Sequence, residues 1–190
     1  MLGPVGAPNA NSVGGLVGVN TTNGGFSSIS SSFATGAVFG GVNVNGGLVG
    51  ANSSNGTDRG LASITDSYAT GAVRGLSGGG ANGGLVGLNQ GVNTGGIATI
   101  STSYATGRVT TTGYGGTGGL VGYDQRVFGG TTSISNSYWD TSTSGILTAG
   151  IGSDPSGLSS NVTGLTTAQF QSGTLPTGFS SGVWGTGISL

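Results

Sequence analysis

Two motifs, each written four times, constrain this chain more than any other feature. GGLVG occurs at Gly14 to Gly18, Gly46 to Gly50, Gly83 to Gly87 and Gly118 to Gly122. Its partner reads ISSSFATGAV from Ile29, ITDSYATGAV from Ile64, ISTSYATGRV from Ile100 and ISNSYWDTST from Ile134. Leu16, Leu48, Leu85 and Leu120 are 32, 37 and 35 residues apart, and the four Ile are 35, 36 and 34 apart. A fixed period of this length marks a chain built from stacked supersecondary units. The segments between Leu and Ile vary in length and are polar and Gly-rich, which places them in outward loops.

Each fixed segment reads as strand. Leu-Val sits between glycines, Ile-x-x-Ser-Tyr/Phe-Ala is β-branched and aromatic, and Val38, Val73 and Val109 mark a third piece. Gly costs about 1 kcal/mol at each helical position, so helices are disfavoured here. Pro4, Pro8, Pro155 and Pro176 all lie outside the repeats, as a ladder that needs every N–H requires. Three short strands per repeat predict a right-handed parallel β-solenoid of about four three-sided coils, roughly 35 residues each. Stacking at about 4.8 Å puts like residues over like. The expected inner ladders are Leu, Ile, and the aromatics Phe33, Tyr68, Tyr104 and Tyr138. An alternative, two coils of roughly 15 and 20 residues per repeat, would stack Leu-Val on Ile-aromatic and lose those ladders.

The corners carry expectations of their own. Asn20, Asn52, Asn89 and Asp124 read as turn residues. Gly36, Gly71 and Gly107 read as positive-φ corners. Ser32, Ser67, Ser103 and Ser137 are placed to stack as a hydroxyl ladder. After Tyr138 the pattern breaks at Trp139-Asp140, and residues 164–171 offer a short helix with Thr166 and Gln169 at capping-box spacing. The chain therefore divides into a lead-in at 1–13, repeats at 14–138, and a C-terminal cap at 139–190, because terminal solenoid units close the core. The lead-in implies a preceding coil cut away, and hence self-association through an open N-terminal coil. It has no basic start and no apolar run, so it does not read as a signal peptide.

The repeat GGLVGxN followed by SYATGxV resembles the GLUG motif of large bacterial surface and secreted proteins. SYWDTSTSG…GLTTAQFQ…LPTGFSSGVWGTG resembles the segment that ends such arrays. The likeness covers residues 11–190 and implies an extracellular β-solenoid stalk or adhesive region in filamentous-haemagglutinin-like proteins. A host cell, a neighbouring cell or a glycan is the implied partner. No catalytic or binding residue comes with the motif.

Chemistry is narrowly bounded. The chain holds 4 Lys or Arg, 5 Asp or Glu and no His or Cys. The usual acid–base and nucleophile sets cannot be assembled, so no cofactor or metal site is expected, and an Asp-based polysaccharide-cleaving enzyme ranks third behind a stalk or adhesive module and a carbohydrate- or ice-binding module. Asp58, Asp66, Asp124, Asp140 and Asp154 read as solvated turn residues, with Asp124 and Asp140 the one pair near a common coil. A Ca²⁺ site wants six to eight oxygens, and no run supplies them. The glycines follow the repeat, not a phosphate-binding pattern. A net charge of −1 gives no footprint for nucleic acid, and no stretch is apolar enough for a membrane span. An ice-binding face would need a regular Ser or Thr grid. The runs at Thr110 to Thr112 and Thr131-Thr132 read as loop-placed and do not recur. Tyr114, Tyr123 and Phe128 break the repeat and are the candidates for stacking on a sugar ring; packing within their loops is the competing role.

Overall fold

The computed structural model describes residues 3–185 except 57, 77–79, 114 and 158–160. Each repeat forms one coil, and every strand pairs in parallel with the same segment of the next repeat. A coil contributes to five sheets. Sheet 1 contains Val5–Gly6, Val38–Phe39, Val73–Gly75 and Val109–Thr111. Sheet 2 contains Ser12–Gly14, Val44–Gly46, Ala81–Gly83 and Thr117–Gly118. Sheet 3 contains Val17–Thr22, Val49–Asn55, Val86–Val92, Val121–Val127 and Ile151–Ser153. Sheet 4 contains Phe26–Ser30, Gly60–Thr65, Gly96–Ser101 and Thr131–Ser135. Sheet 5 contains Phe33–Ala34, Tyr68–Ala69, Tyr104–Ala105, Ser137–Asp140 and Val162–Leu165. The fold is thus a parallel β-solenoid with five short strands in a coil where the sequence suggested three.

The extra strands have local causes. The Ile-to-aromatic stretch is cut in two by Ser31, Asp66, Thr102 and Asn136, at φ 46°, 50°, 44° and 44°. One left-handed residue turns the chain, and Asn and Asp accept that conformation most readily. The next residue secures the corner. The Ser67 hydroxyl donates to Thr65 C=O at 2.8 Å and accepts the Ser32 N–H at 3.2 Å. Ser103 repeats this with Ser101 and Ser67 at 2.7 and 3.1 Å. The serines do stack, but the ladder runs through backbone N–H groups that would otherwise be buried unpaired.

The core is built from like-on-like columns. Leu48, Leu85 and Leu120 are fully buried, as are Ile64 and Ile100. A second cluster stacks Val38, Val73 and Val109, with Val13 of sheet 2 packed against them. The aromatic column is a correction: Phe33 is 51% exposed and stands outside, because strand alternation turns Ala34, Ala69 and Ala105 inward instead. Those alanines explain the glycine pair. A Cβ on Gly47 would meet Ala69 Cβ at 2.9 Å and Gly84 O at 2.1 Å. Thr-Gly needs glycine for close approach too, not for positive φ: a Cβ on Gly71 would meet Gly36 O at 2.0 Å.

The asparagines are strand residues, not turn residues. Asn52 and Asn89 are fully buried in sheet 3 and face inward. Asn20 Nδ2 donates to Asn52 Oδ1 at 2.8 Å, Asn52 to Asn89 at 2.8 Å, and Asn89 to Asp124 Oδ1 at 2.7 Å. A second amide step joins Asn45 to Asn82 at 2.8 Å in sheet 2.

Pairing extends past residues 14–138 in both directions. Val5–Gly6 and Ser12–Gly14 of the lead-in join sheets 1 and 2. Ile151–Ser153 and Val162–Leu165 form a fifth, degenerate rung. Just beneath it, in the fourth rung, Trp139 fills the inward slot that Ala holds in the first three, and its indole N–H donates to Ile146 C=O at 2.8 Å. The ring takes the space of a fifth Leu: a Cβ on Gly150 would meet Trp139 Cζ3 at 2.5 Å. Trp139, Ile151 and Val162 therefore cover the last Leu and Ile of the core.

Candidate functional site

With the core this uniform, any recognition falls to the outward faces. Sheet 4 presents the most regular one. Ser28, Ser63, Thr99 and Ser133 form one outward column and Ser30, Thr65, Ser101 and Ser135 another, in unbroken register. Between them Ile29, Ile64, Ile100 and Ile134 point inward. A third outward column holds Phe26, Leu61, Ile97 and Thr131. None of these twelve positions carries a charge. Rows lie about 4.8 Å apart and columns about 6.8 Å, from strand geometry. Sequence reasoning missed this grid because it searched for runs of Thr. The informative signal was Ser or Thr on both sides of each Ile. Thr131 belongs to the grid, whereas Thr132 points inward to Asp124. Thr110 and Thr111 lie in sheet 1 rather than in a loop.

The second face is the aromatic column outside sheet 5. Phe33 and Tyr68 stack at 5.2 Å and 8°, and Tyr68 and Tyr104 at 5.1 Å and 3°. The C-terminal tail runs along it. Trp184 packs on Tyr68 at 6.1 Å and on Tyr104 at 5.4 Å, while Phe170 and Phe179 sit 5.6 and 6.3 Å from Tyr104. Phe179 meets Tyr138 edge-on at 5.5 Å, and the Tyr138 hydroxyl donates to Thr177 C=O at 2.7 Å. Burial, with Tyr68 alongside, pushes the Tyr104 phenol up to about 12. The tail starts from a single helical turn, Thr167–Phe170, with the expected capping box between Thr166 and Gln169. Its aromatics thus strap the side of the stack; they do not cover its end.

A groove of about 580 Å³ opens where the strap leaves the fifth rung. Asn136, Asn161, Thr163 and Gln169 contribute polar groups, and Leu165 and Leu175 an apolar patch. None of the described residues lining it is charged.

Of the residues expected to bind, Tyr123 and Phe128 are not brought together at one hollow. Tyr114 lies outside the described residues. Tyr123 stands in the outward column of Val19, Ala51 and Leu88, beside a hollow of about 270 Å³ lined by Gln125, Arg126, Pro155 and Ser156. Phe128 is 81% exposed in the turn before sheet 4, at φ 50°, and does not line that hollow.

The two watched carboxylates are buried, not solvated. Asp124 ends the asparagine ladder, accepts from the Thr132 hydroxyl and pairs with the Arg126 guanidinium at 3.7 Å. Burial is tolerable because charge and lone pairs are both answered. Asp140 ends the fourth strand of sheet 5, accepting from Ser142 N–H at 2.8 Å and the Thr167 hydroxyl at 2.6 Å. The pair belongs to different sheets and different partners. Asp66 holds a left-handed corner and accepts from the Thr102 hydroxyl at 2.5 Å. Among the described residues no group of three acidic side chains could hold a metal ion. No helix there is long and apolar enough to cross a membrane.

Set against models of protein families, curated proteins and solved structures, the chain gives no match.

Proposed function

We propose that this chain is a non-enzymatic module of an extracellular bacterial surface protein, serving as a stalk and adhesive β-solenoid. The observation that carries the reading is the unbroken like-on-like stacking of Leu, Ile, Val and Asn from coil to coil. Such a stack keeps one geometry along its axis and frees its outward residues for contact. The likeness of its repeats to GLUG regions supports the extracellular setting. Beads coated with the purified chain should adhere to bacterial or host cells, and single-molecule pulling should lengthen the chain in steps of one coil. Beads that bind no cell, together with an unfolding trace lacking those steps, would sink the proposal.

The hydroxyl grid of sheet 4 favours a second reading, an ice-binding face. A neutral array of hydroxyls in register beside an apolar column can order water on its own regular repeat. Thermal hysteresis that disappears in Ser63→Lys, Thr99→Lys would support it. A wild-type chain that leaves ice growth unchanged would contradict it.

A further inference from the structure

The groove at the fifth rung has a chemistry distinct from every other outward face. In four rungs the outward position of sheet 5 holds an aromatic: Phe33, Tyr68, Tyr104 and Tyr138. In the fifth it holds Thr163, paired in register with Tyr138. The column therefore stops short, and Tyr138 below and tail residues 172–177 beside it border the space where a fifth ring would stand. That space is the groove, and its volume of about 580 Å³ falls within the roughly 300–1,000 Å³ of small-molecule sites.

We propose that this groove binds a neutral oligosaccharide, one sugar ring taking the place of the missing fifth aromatic. This rests on the adhesive reading above and names its ligand class. Asn136, Asn161 and Gln169 each present an amide, which offers donors and an acceptor together. Neighbouring sugar hydroxyls need that combination. The Gln169 amide is already steadied, its Oε1 accepting from Thr166 N–H at 2.8 Å and from the Thr166 hydroxyl at 3.1 Å, so its part is that of a donor, with the acceptors left to Asn136 and Asn161. Leu165 and Leu175 supply the apolar surface that the C–H face of a pyranose covers. The absence of charge among the described lining residues disfavours uronic acids and phosphates, which would lose hydration without gaining a counter-charge.

The test is an amide NMR titration of the full chain with cellotetraose, maltotetraose, N-acetylchitotetraose and, as the charged control, a galacturonate tetramer. At least one neutral oligosaccharide should shift the amides of Asn136, Asn161, Thr163 and Gln169, and the galacturonate tetramer should not. Asn161→Ala should weaken binding about three- to tenfold, the range for one lost hydrogen bond. Thr163→Trp, which fills the groove, should abolish it, and Tyr123→Ala, in the separate hollow, should leave it unchanged. Neutral sugars that shift amides elsewhere, or that bind Thr163→Trp as well as wild type, would overturn the groove assignment. So would no shift from any neutral oligosaccharide. If beads still adhere to cells in that case, the groove fails while the adhesive reading stands; if they do not, both fail.

Discussion

At the scale of single residues, the asparagine ladder gives the sharpest test of the packing. Its amides all donate in one direction, from Asn20 through Asn52 and Asn89 to Asp124. A carboxylate only accepts, so Asp fits at the last position and nowhere earlier. Asn89→Asp would set carboxylate oxygen against Asp124 Oδ1 with no proton between them. We expect it to destabilise the fold by more than Asp124→Asn, at about 1–3 kcal/mol for each buried group left unpaired. Equal denaturation midpoints for the two variants would contradict the ladder. Leu85 makes a similar contrast with Leu88: the first is fully buried between Leu48 and Leu120, the second lies in an outward column. Leu85→Ala should cost about 2–5 kcal/mol, and Leu88→Ala clearly less by the same thermal measurement. Tyr104 adds a pH dependence. Its phenol is raised from 10.0 to about 12 in the fold, so between those values the folded chain keeps a proton that the unfolded chain has lost. Stability from this group is complete below pH about 10 and falls as pH rises towards about 12. Melting temperatures across that range should drop more steeply for wild type than for Tyr104→Phe; parallel curves would show that the phenol is not held this way.

At the scale of elements, the C-terminal region performs two tasks that the sequence presented as one. Ile151–Ser153 and Val162–Leu165 complete a fifth rung over Trp139, and the segment from Thr166 onward straps the aromatic column. The break at Trp139 was legible, and so were Phe170, Phe179 and Trp184 as large apolar groups in need of a surface. Their target was not, because the aromatics of the repeats were assigned to the core. A single left-handed residue at Asp66 and its equivalents decides that question, and Ser, Asp, Thr and Asn in one column are a faint signal for it. The fifth rung was hidden for a physical reason as well. Gly150 and Gly164 replace the expected Leu and Ala where the Trp139 ring needs room, which erases the repeat from the sequence while preserving its geometry. The two tasks separate experimentally. Trp139→Ala should open the end of the core and cost about 3–5 kcal/mol. Truncation after Leu165 should cost less and leave the far-ultraviolet circular dichroism of the stack intact. A truncated chain that unfolds outright would mean that the strap is part of the solenoid's own stability.

At the scale of the whole molecule, the period and the strand-like fixed segments foretold the parallel stack, the burial of the Leu and Ile columns, and one coil for each repeat, whereas the Val column takes an inner place that the sequence reading gave to the aromatics. What recognises a partner was much harder to read. The hydroxyl grid arises only when four distant Ile-flanking positions come into register, and the fifth-rung groove only where the aromatic column ends beside the tail. Both are products of stacking: the grid leaves only the faint local mark of Ser or Thr on each side of Ile, and the groove leaves none. Everything in the account depends on which carbonyl each strand amide reaches. The Leu85 N–H donates to Leu120 C=O at 2.8 Å, and the Leu48 N–H to Leu85 C=O at 2.9 Å. Scalar couplings across hydrogen bonds, measured by NMR on the labelled chain, report those partners directly. The account predicts couplings from Leu48 to Leu85 and from Leu85 to Leu120, one full repeat apart. Couplings that join the Leu-Val segments to the Ile-aromatic segments, half a repeat apart, would contradict it.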